Sequence, residues 1–233
     1  MVEGVEESPS LPAWRRGGPP RNLTKHDRSC FFWDMAKRAP KTNERILQEG
    51  LALMSQEGLA GVTIGRLAEQ VGMSKSGLFA HFRGKEDIQV GLLEYAGRFF
   101  LPRVLEPAMK APEGLPRLES LVQHWLGWAA RAGLPGGCSV TAAMFELDDV
   151  EGPVREYVLG IEARWRATLG QFVQRAVDLG HLRAGLDVEQ FVWELCGIYL
   201  SHHTSSRFVR DSRADERARV AFEALVNRAR PRK

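Results

Sequence analysis

Apolar side chains recur along most of this chain at the three-to-four-residue spacing of a helix, and no stretch alternates as a half-buried strand does. Ile46, Leu47, Gly50, Leu51 and Met54 share one face of a helix expected over about 43–57 and stopped by Gly58. Ile64, Leu67, Ala68 and Val71 make the face of a second helix. Thr63 is placed to cap it by accepting a bond from an orphan backbone N–H. Gly72 supplies a turn, since a positive φ is cheap only without a Cβ. Ser74 then caps a third helix whose apolar side is Leu78, Phe79 and Phe82. A fourth begins near Lys85, with Glu86 and Asp87 in the first turn, where the helix dipole favours acids. It runs through Ile88, Leu92, Leu93, Ala96, Phe99 and Phe100 to Pro102.

Residues 103–116 are broken by prolines and read as a connection. A helix follows over about 117–132, with Leu118, Leu121, Val122, Trp125, Leu126 and Ala129 inward, then a loop at 133–138 and a short helix from Ser139 that ends in acids. Pro153 opens a long helix of about 153–179 that Gly180 stops. The capping-box pattern at Asp187 and Gln190 starts another, to about Arg210, and Ser212 with Asp215 starts the last, to about Arg228. The expectation is an all-α chain of nine helices: a tail over 1–41, a small N-terminal domain over 42–88 and a larger C-terminal bundle over 89–233.

The stretch from Thr63 to Lys85 carries the most specific pattern. Small Ala68 lets two helices approach, Gly72 follows four residues later in the turn, and Leu78 fills the gap six residues after that. Helices joined in this way form a helix-turn-helix, whose second helix enters the major groove of DNA by its N-terminal residues. From Val71 to Lys85 the charged residues are Lys75, Arg83 and Lys85, with no acid among them, which suits phosphates. Lys75, Ser76 and Gly77, with Ser74 beside them, lie where base edges are met, and Gly77 contributes only close approach.

The segment ILQEGLALMSQEGLAGVTIGRLAEQVGMSKSGLFAHFRGKEDIQVGLLEYA, within 43–100, resembles the N-terminal domain of the TetR/AcrR transcriptional regulators, nearly without gaps. The resemblance implies a DNA-binding regulator, by default a repressor, that sits as a homodimer on a palindromic double-stranded operator. It also implies that the C-terminal domain encloses a pocket for a small-molecule effector, and that the fourth helix joins the two domains. Thr63, Phe79, His81 and Lys85 match positions that touch phosphate or sugar in the family. Phe79 is a departure, because that position is usually tyrosine. Without the hydroxyl it either meets a thymine methyl or deoxyribose, or packs in the core; His81 is likewise either a DNA contact or a core residue. The last two helices carry apolar faces at Phe191, Leu195, Ile198 and Tyr199 and at Ala218, Phe222, Leu225 and Val226, which the resemblance makes the subunit interface.

Aromatic residues are abundant in the C-terminal part. Trp125, Trp128, Cys138, Phe145, Trp165 and Phe172 are the candidate effector lining, although aromatics at helical spacing ordinarily form core. Cys138, after two glycines, is either a small buried hydrophobe or a thiol sensor. The second choice gives an alternative regulator that is switched by redox chemistry without a small molecule. His202 and His203 are adjacent and so point about 100° apart on a helix, which makes no chelating pair and implies no metal or cofactor.

Charge and cysteine content narrow the class. Lys and Arg total 32 against 29 acids, so the basic character is local rather than polybasic. No apolar run approaches about 20 residues and no signal-peptide pattern opens the chain, so a cytoplasmic protein without a membrane partner is expected. Cys30, Cys138 and Cys196 are odd in number and include no CxxC, against a disulfide framework or a structural zinc. No GxSxG, HExxH or phosphate-cradling glycine loop is present, and no enzyme is expected. In residues 1–41, prolines at 9, 12, 19, 20 and 40 leave no helical period, and eight Lys/Arg outnumber five acids. That segment is a solvated tail, a basic arm along DNA, or, up to residue 34, the product of an upstream start, since MAKRAPKTNERI resembles the ordinary beginning of such regulators.

Overall fold

The computed structural model describes residues 41–232, so the readings of the basic tail and Cys30 fall outside the described residues. Helices α1 (Lys41–Gly61), α2 (Ile64–Val71) and α3 (Lys75–Phe79) form the N-terminal group, and α4 (Lys85–Met109) leads out of it. Then come α5 (Leu115–Trp125), α6 (Trp128–Arg131), α7 (Ser139–Glu146), α8 (Pro153–Asp178), α9 (Val188–Thr204) and α10 (Ala214–Ala229). A π-helical turn, Ser205–Val209, follows α9. The described residues contain helices, turns and loops and no strand.

The N-terminal group packs as its periodicity implies. Ile46, Leu47, Leu51 and Met54 of α1 are buried together with Leu67, Leu78, Leu92 and Leu93 from α2, α3 and α4. Gly50 makes the approach of α1 to α4 possible, because a Cβ there would lie 2.5 Å from a Leu92 methyl. The first helix does not simply stop at Gly58. It turns sharply there, at φ 74°, and adds one more short turn to Gly61.

Several expectations need correction. The fourth helix passes through Pro102 and Pro107 to Met109 rather than ending at Pro102, so most of 103–116 is helix and not connection. Each proline costs an interior helix about 3 kcal/mol, but Val104 and Ala108 beyond the first are fully buried and α4 packs along α5. That burial outweighs the local preference. The helix expected over 117–132 is two, because Leu126 is extended and Gly127 is left-handed, at φ 67°. This gives ten α-helices among the described residues instead of nine.

The last helix starts at Ala214 without a side-chain cap, since Asp215 bonds His202 of α9 instead of closing a box with Ser212. Asp187 does cap α9, accepting from the Gln190 N–H at 2.9 Å, while the Gln190 amide turns to Glu194. The apolar faces assigned to a subunit interface lie largely inside the chain: Phe191, Leu195 and Tyr199 of α9 and Ala218, Phe222, Leu225 and Val226 of α10 are all buried within the protomer.

The loop before α7 rests on α1. The Gly136 N–H donates to Ser55 Oγ at 3.2 Å, and a Cβ on Gly136 would stand 1.2 Å from the Ser55 carbonyl oxygen. Gly136→Ala therefore forces the loop off α1 and lowers stability by about 2 kcal/mol or more. Urea unfolding reads this directly, and an unchanged midpoint would show that the loop does not depend on that contact.

Candidate nucleic-acid interface

Both short helices of the motif are fixed by local chemistry. Thr63 Oγ1 accepts from the Arg66 N–H at 3.2 Å and so caps α2. At its other end Gly72 is left-handed, at φ 66°, with its N–H on the Glu69 carbonyl and the Met73 N–H on the Ala68 carbonyl at 2.9 Å. That pair of bonds is a Schellman closure, which satisfies carbonyls the helix end leaves open. Ser74 Oγ accepts from the Gly77 N–H at 3.0 Å to cap α3 and lies 3.0 Å from Ser76 Oγ. Leu78 and Ala68 are buried between the two helices, as the spacing requires. Arg45 of α1 donates to the Val71 carbonyl, tying the end of α2 to α1.

The structure places Thr63, Ser74, Lys75, Ser76, Phe79, His81 and Lys85 at the exposed surface, with Gly77 half-buried among them. Phe79 is 53% exposed, so it is not the core residue that the sequence left open, nor part of the buried side with Leu78 and Phe82. His81 is likewise at the surface. Lys75 lies back across α2, near enough that a Cβ on Gly65 would be 3.5 Å from its Cε. Lys85 opens α4, where unpaired N–H groups and the dipole favour an anion.

The six candidate lining residues separate into two sets. Trp125, Trp128, Trp165, Phe172 and Cys138 are buried, whereas Phe145 is 58% exposed on α7 and lines no interior. Trp125 stacks on Tyr199 at 4.1 Å between centroids and meets Trp165 edge-on at 5.0 Å. Phe100 meets Trp128 and Trp165 edge-on at 5.0 and 5.2 Å. Much of the aromatic surplus is thus used in ring-on-ring packing.

Polar groups converge on this cluster. The Trp128 indole N–H donates to the Tyr199 hydroxyl at 3.3 Å, and the side chains of Cys138 and Thr141 lie beside that hydroxyl. Burial, and next the neighbouring Cys138, hold the Tyr199 phenol well above its ordinary pKa. Trp165 Nε1 and Ser139 Oγ are buried with no hydrogen-bond partner among the described residues. Burial also pushes the Cys196 thiol up to about 11, which keeps it protonated at neutral pH. A separate surface groove of about 610 Å³ runs between α5 and α10, past Val122, Leu126, Phe222 and Val226, and touches none of the six candidates.

Sequence reasoning missed two side chains beside the motif. Glu146, the last residue of α7, accepts from the Leu59 and Ala60 N–H groups at 3.0 and 2.8 Å, and buried Gln89 of α4 donates to the Leu59 carbonyl at 2.9 Å. The available signal for Glu146 was electrostatic: a carboxylate at a helix C-terminus is disfavoured by the dipole unless it serves another partner.

The three-helix group with its capped hairpin defines a helix-turn-helix DNA-binding regulator. Residues 46–90 match the family described as "Bacterial regulatory proteins, tetR family", and 114–222 match "Tetracyclin repressor-like, C-terminal domain". Nucleoid occlusion factor SlmA of Aliivibrio fischeri (strain MJ11) is 31% identical over 134 residues, 57% of this chain and 68% of that protein. SlmA of Cronobacter sakazakii is 30% identical over 187 residues, 78% of this chain and 94% of that protein. Among solved structures, a TetR-family regulator from Cytophaga hutchinsonii superposes with a TM-score of 0.74 at 16% identity, covering 84% of this chain and 100% of its own. AibR in complex with isovaleryl coenzyme A and operator DNA has a TM-score of 0.63 at 19% identity, covering 83% and 100%. The chain belongs to the TetR family of transcriptional regulators, which are DNA-binding proteins and not enzymes.

The exposure of Phe79 separates its part from that of its neighbour. Leu78→Ala should cost about 2–5 kcal/mol of stability, and Phe79→Ala no more than about 0.5. Urea unfolding of the two variants measures both, and a large loss for Phe79→Ala would return it to the core.

Proposed function

We propose that this chain is a cytoplasmic homodimeric repressor that reads a palindromic operator through α3 and is released from it by a small-molecule effector. The DNA side rests chiefly on one observation: the capped hairpin presents Thr63, Ser74, Lys75, Ser76, Phe79, His81 and Lys85 together at the surface, with no carboxylate from Val71 to Lys85. Residues 42–88 carry the DNA contacts, and 89–233 hold the effector and the second subunit. The dimer forms on the sides of α9 and α10 that the protomer leaves open: Trp193, 65% exposed, with Gly197 and Ser201, and Val220 with Ala221 and Ala224. A two-fold pair sets two recognition helices about one DNA turn apart, which is what a palindrome asks for.

The effector seat is the aromatic cluster around Trp125, Trp128, Trp165, Tyr199 and Cys138, with Phe172 deeper in α8 and Phe145 excluded. The partnerless Trp165 N–H and Ser139 hydroxyl support this, because buried polar groups are rarely left unpaired. AibR, with its acyl coenzyme A and operator, supplies the analogy.

The likeness to SlmA, the stronger one in sequence, favours a second reading as a nucleoid occlusion factor. Genome-wide selection of DNA bound by the purified protein separates the two. A repressor enriches one or a few palindromes beside genes, whereas a nucleoid occlusion factor enriches many sites spread along the chromosome. In either case Lys75→Ala should weaken specific binding by about tenfold. Enrichment unchanged by Lys75→Ala would remove α3 from the reading.

A redox switch at Cys138 is less well supported, since that thiol is buried against Tyr199. Mild oxidant should leave DNA binding alike in wild type and Cys138→Ser. Release from wild type alone would restore the thiol switch.

A further inference from the structure

Residue 59 sits where the DNA-reading end is joined to the rest of the fold. Its N–H goes to the Glu146 carboxylate of α7 and its carbonyl to the Gln89 amide of α4. The Ala60 N–H goes to the second oxygen of Glu146. Bonds to an ionised acceptor are the stronger kind. The chain at this point also accepts nothing larger than glycine: Gly58 has φ 74°, and a Cβ on it would lie 2.4 Å from Glu146 Oε1. Four residues beyond Gly58, Val62 is fully buried, and Thr63 then caps α2. A shift of Glu146 therefore moves the α1–α2 junction.

The opposite end of α7 faces the aromatic cluster. Cys138 precedes its first turn and Thr141 lies within it, both beside the Tyr199 hydroxyl, and Ser139 between them is buried with no hydrogen-bond partner among the described residues. Eight residues of helix span about 12 Å. One stiff two-turn rod thus touches the aromatic core with its first turn and the end of α1, just before the helix-turn-helix, with its last residue.

We propose that Glu146 is a positioning residue through which α7 couples the aromatic core to the attitude of the recognition helix. This rests on the reading above, in which that core seats the effector. An effector that moves Tyr199 or fills the space beside Ser139 shifts α7, and Glu146 delivers the shift to Leu59 and Ala60.

Coupling free energy is reciprocal, so DNA must act on α7 as α7 acts on DNA. The test needs no effector. Hydrogen exchange of the full-length protein is followed with and without a saturating DNA fragment taken from the genomic selection, in wild type, Glu146→Gln and Glu146→Ala. In wild type, DNA changes exchange in the peptide 138–146 as well as in 57–62. Glu146→Gln keeps the side-chain size but not the paired acceptors. Its 57–62 amides should exchange about tenfold faster in the free protein, and its 138–146 peptide should no longer respond to DNA. Should Glu146→Ala fail to fold, the isosteric variant decides.

Glu146→Gln that keeps the wild-type melting curve yet loses DNA binding is a stronger form of the expected result. A wild-type response of 138–146 in Glu146→Gln overturns the coupling, as does wild-type protein that binds DNA without any change in 138–146. Wild-type protein that binds no DNA overturns the operator reading and the coupling together.

Discussion

The helices that meet DNA are too short to hold themselves. Helices below about 12–15 residues are marginal in water, and α2 has eight residues and α3 five. Their position is borrowed from Leu67 and Leu78, which are buried against α1 and α4, and from the Thr63 and Ser74 caps. The recognition surface is consequently only as rigid as its supports. Whatever moves α1 or α4 moves it too.

What was legible in the sequence was what is decided within four or five residues. Thr63, Ser74 and Asp187 announce caps because a hydroxyl or carboxylate meets an N–H three positions on. Gly72 announces a turn because its left-handed φ suits a residue without Cβ. What was not legible was decided across the fold. Pro102 and Pro107 argue locally for an end to α4, and only the burial of Val104 and Ala108 overrules them. An apolar stripe says that a face is covered but not by what: Phe191, Leu195 and Tyr199 read as well for a partner subunit as for the chain's own interior, where Tyr199 in fact stacks on Trp125 of α5.

The same limit applies to the candidate site. Aromatic spacing found Trp125, Trp128 and Trp165, and the structure gathers them around Tyr199. Phe145 shares their residue type but not their side of the fold, being on the solvent side of α7. Nothing local announced the partners of Glu146 beside it, which lie 86 and 87 positions away in sequence. Local pattern has no access to contacts of that separation.

The prolines of α4 also set its mechanical character. Each removes an N–H, so the carbonyls of Arg98 and Arg103 lack their usual rungs. A rod with missing rungs bends there without breaking any hydrogen bond. Helix α4 is therefore compliant along its second half, like a leaf spring scored at two points, whereas α7 is too short to flex. Of the two helices that grip Leu59, one carries two prolines and the other none. The elastic response of the DNA-reading end is thereby unequal from its two sides.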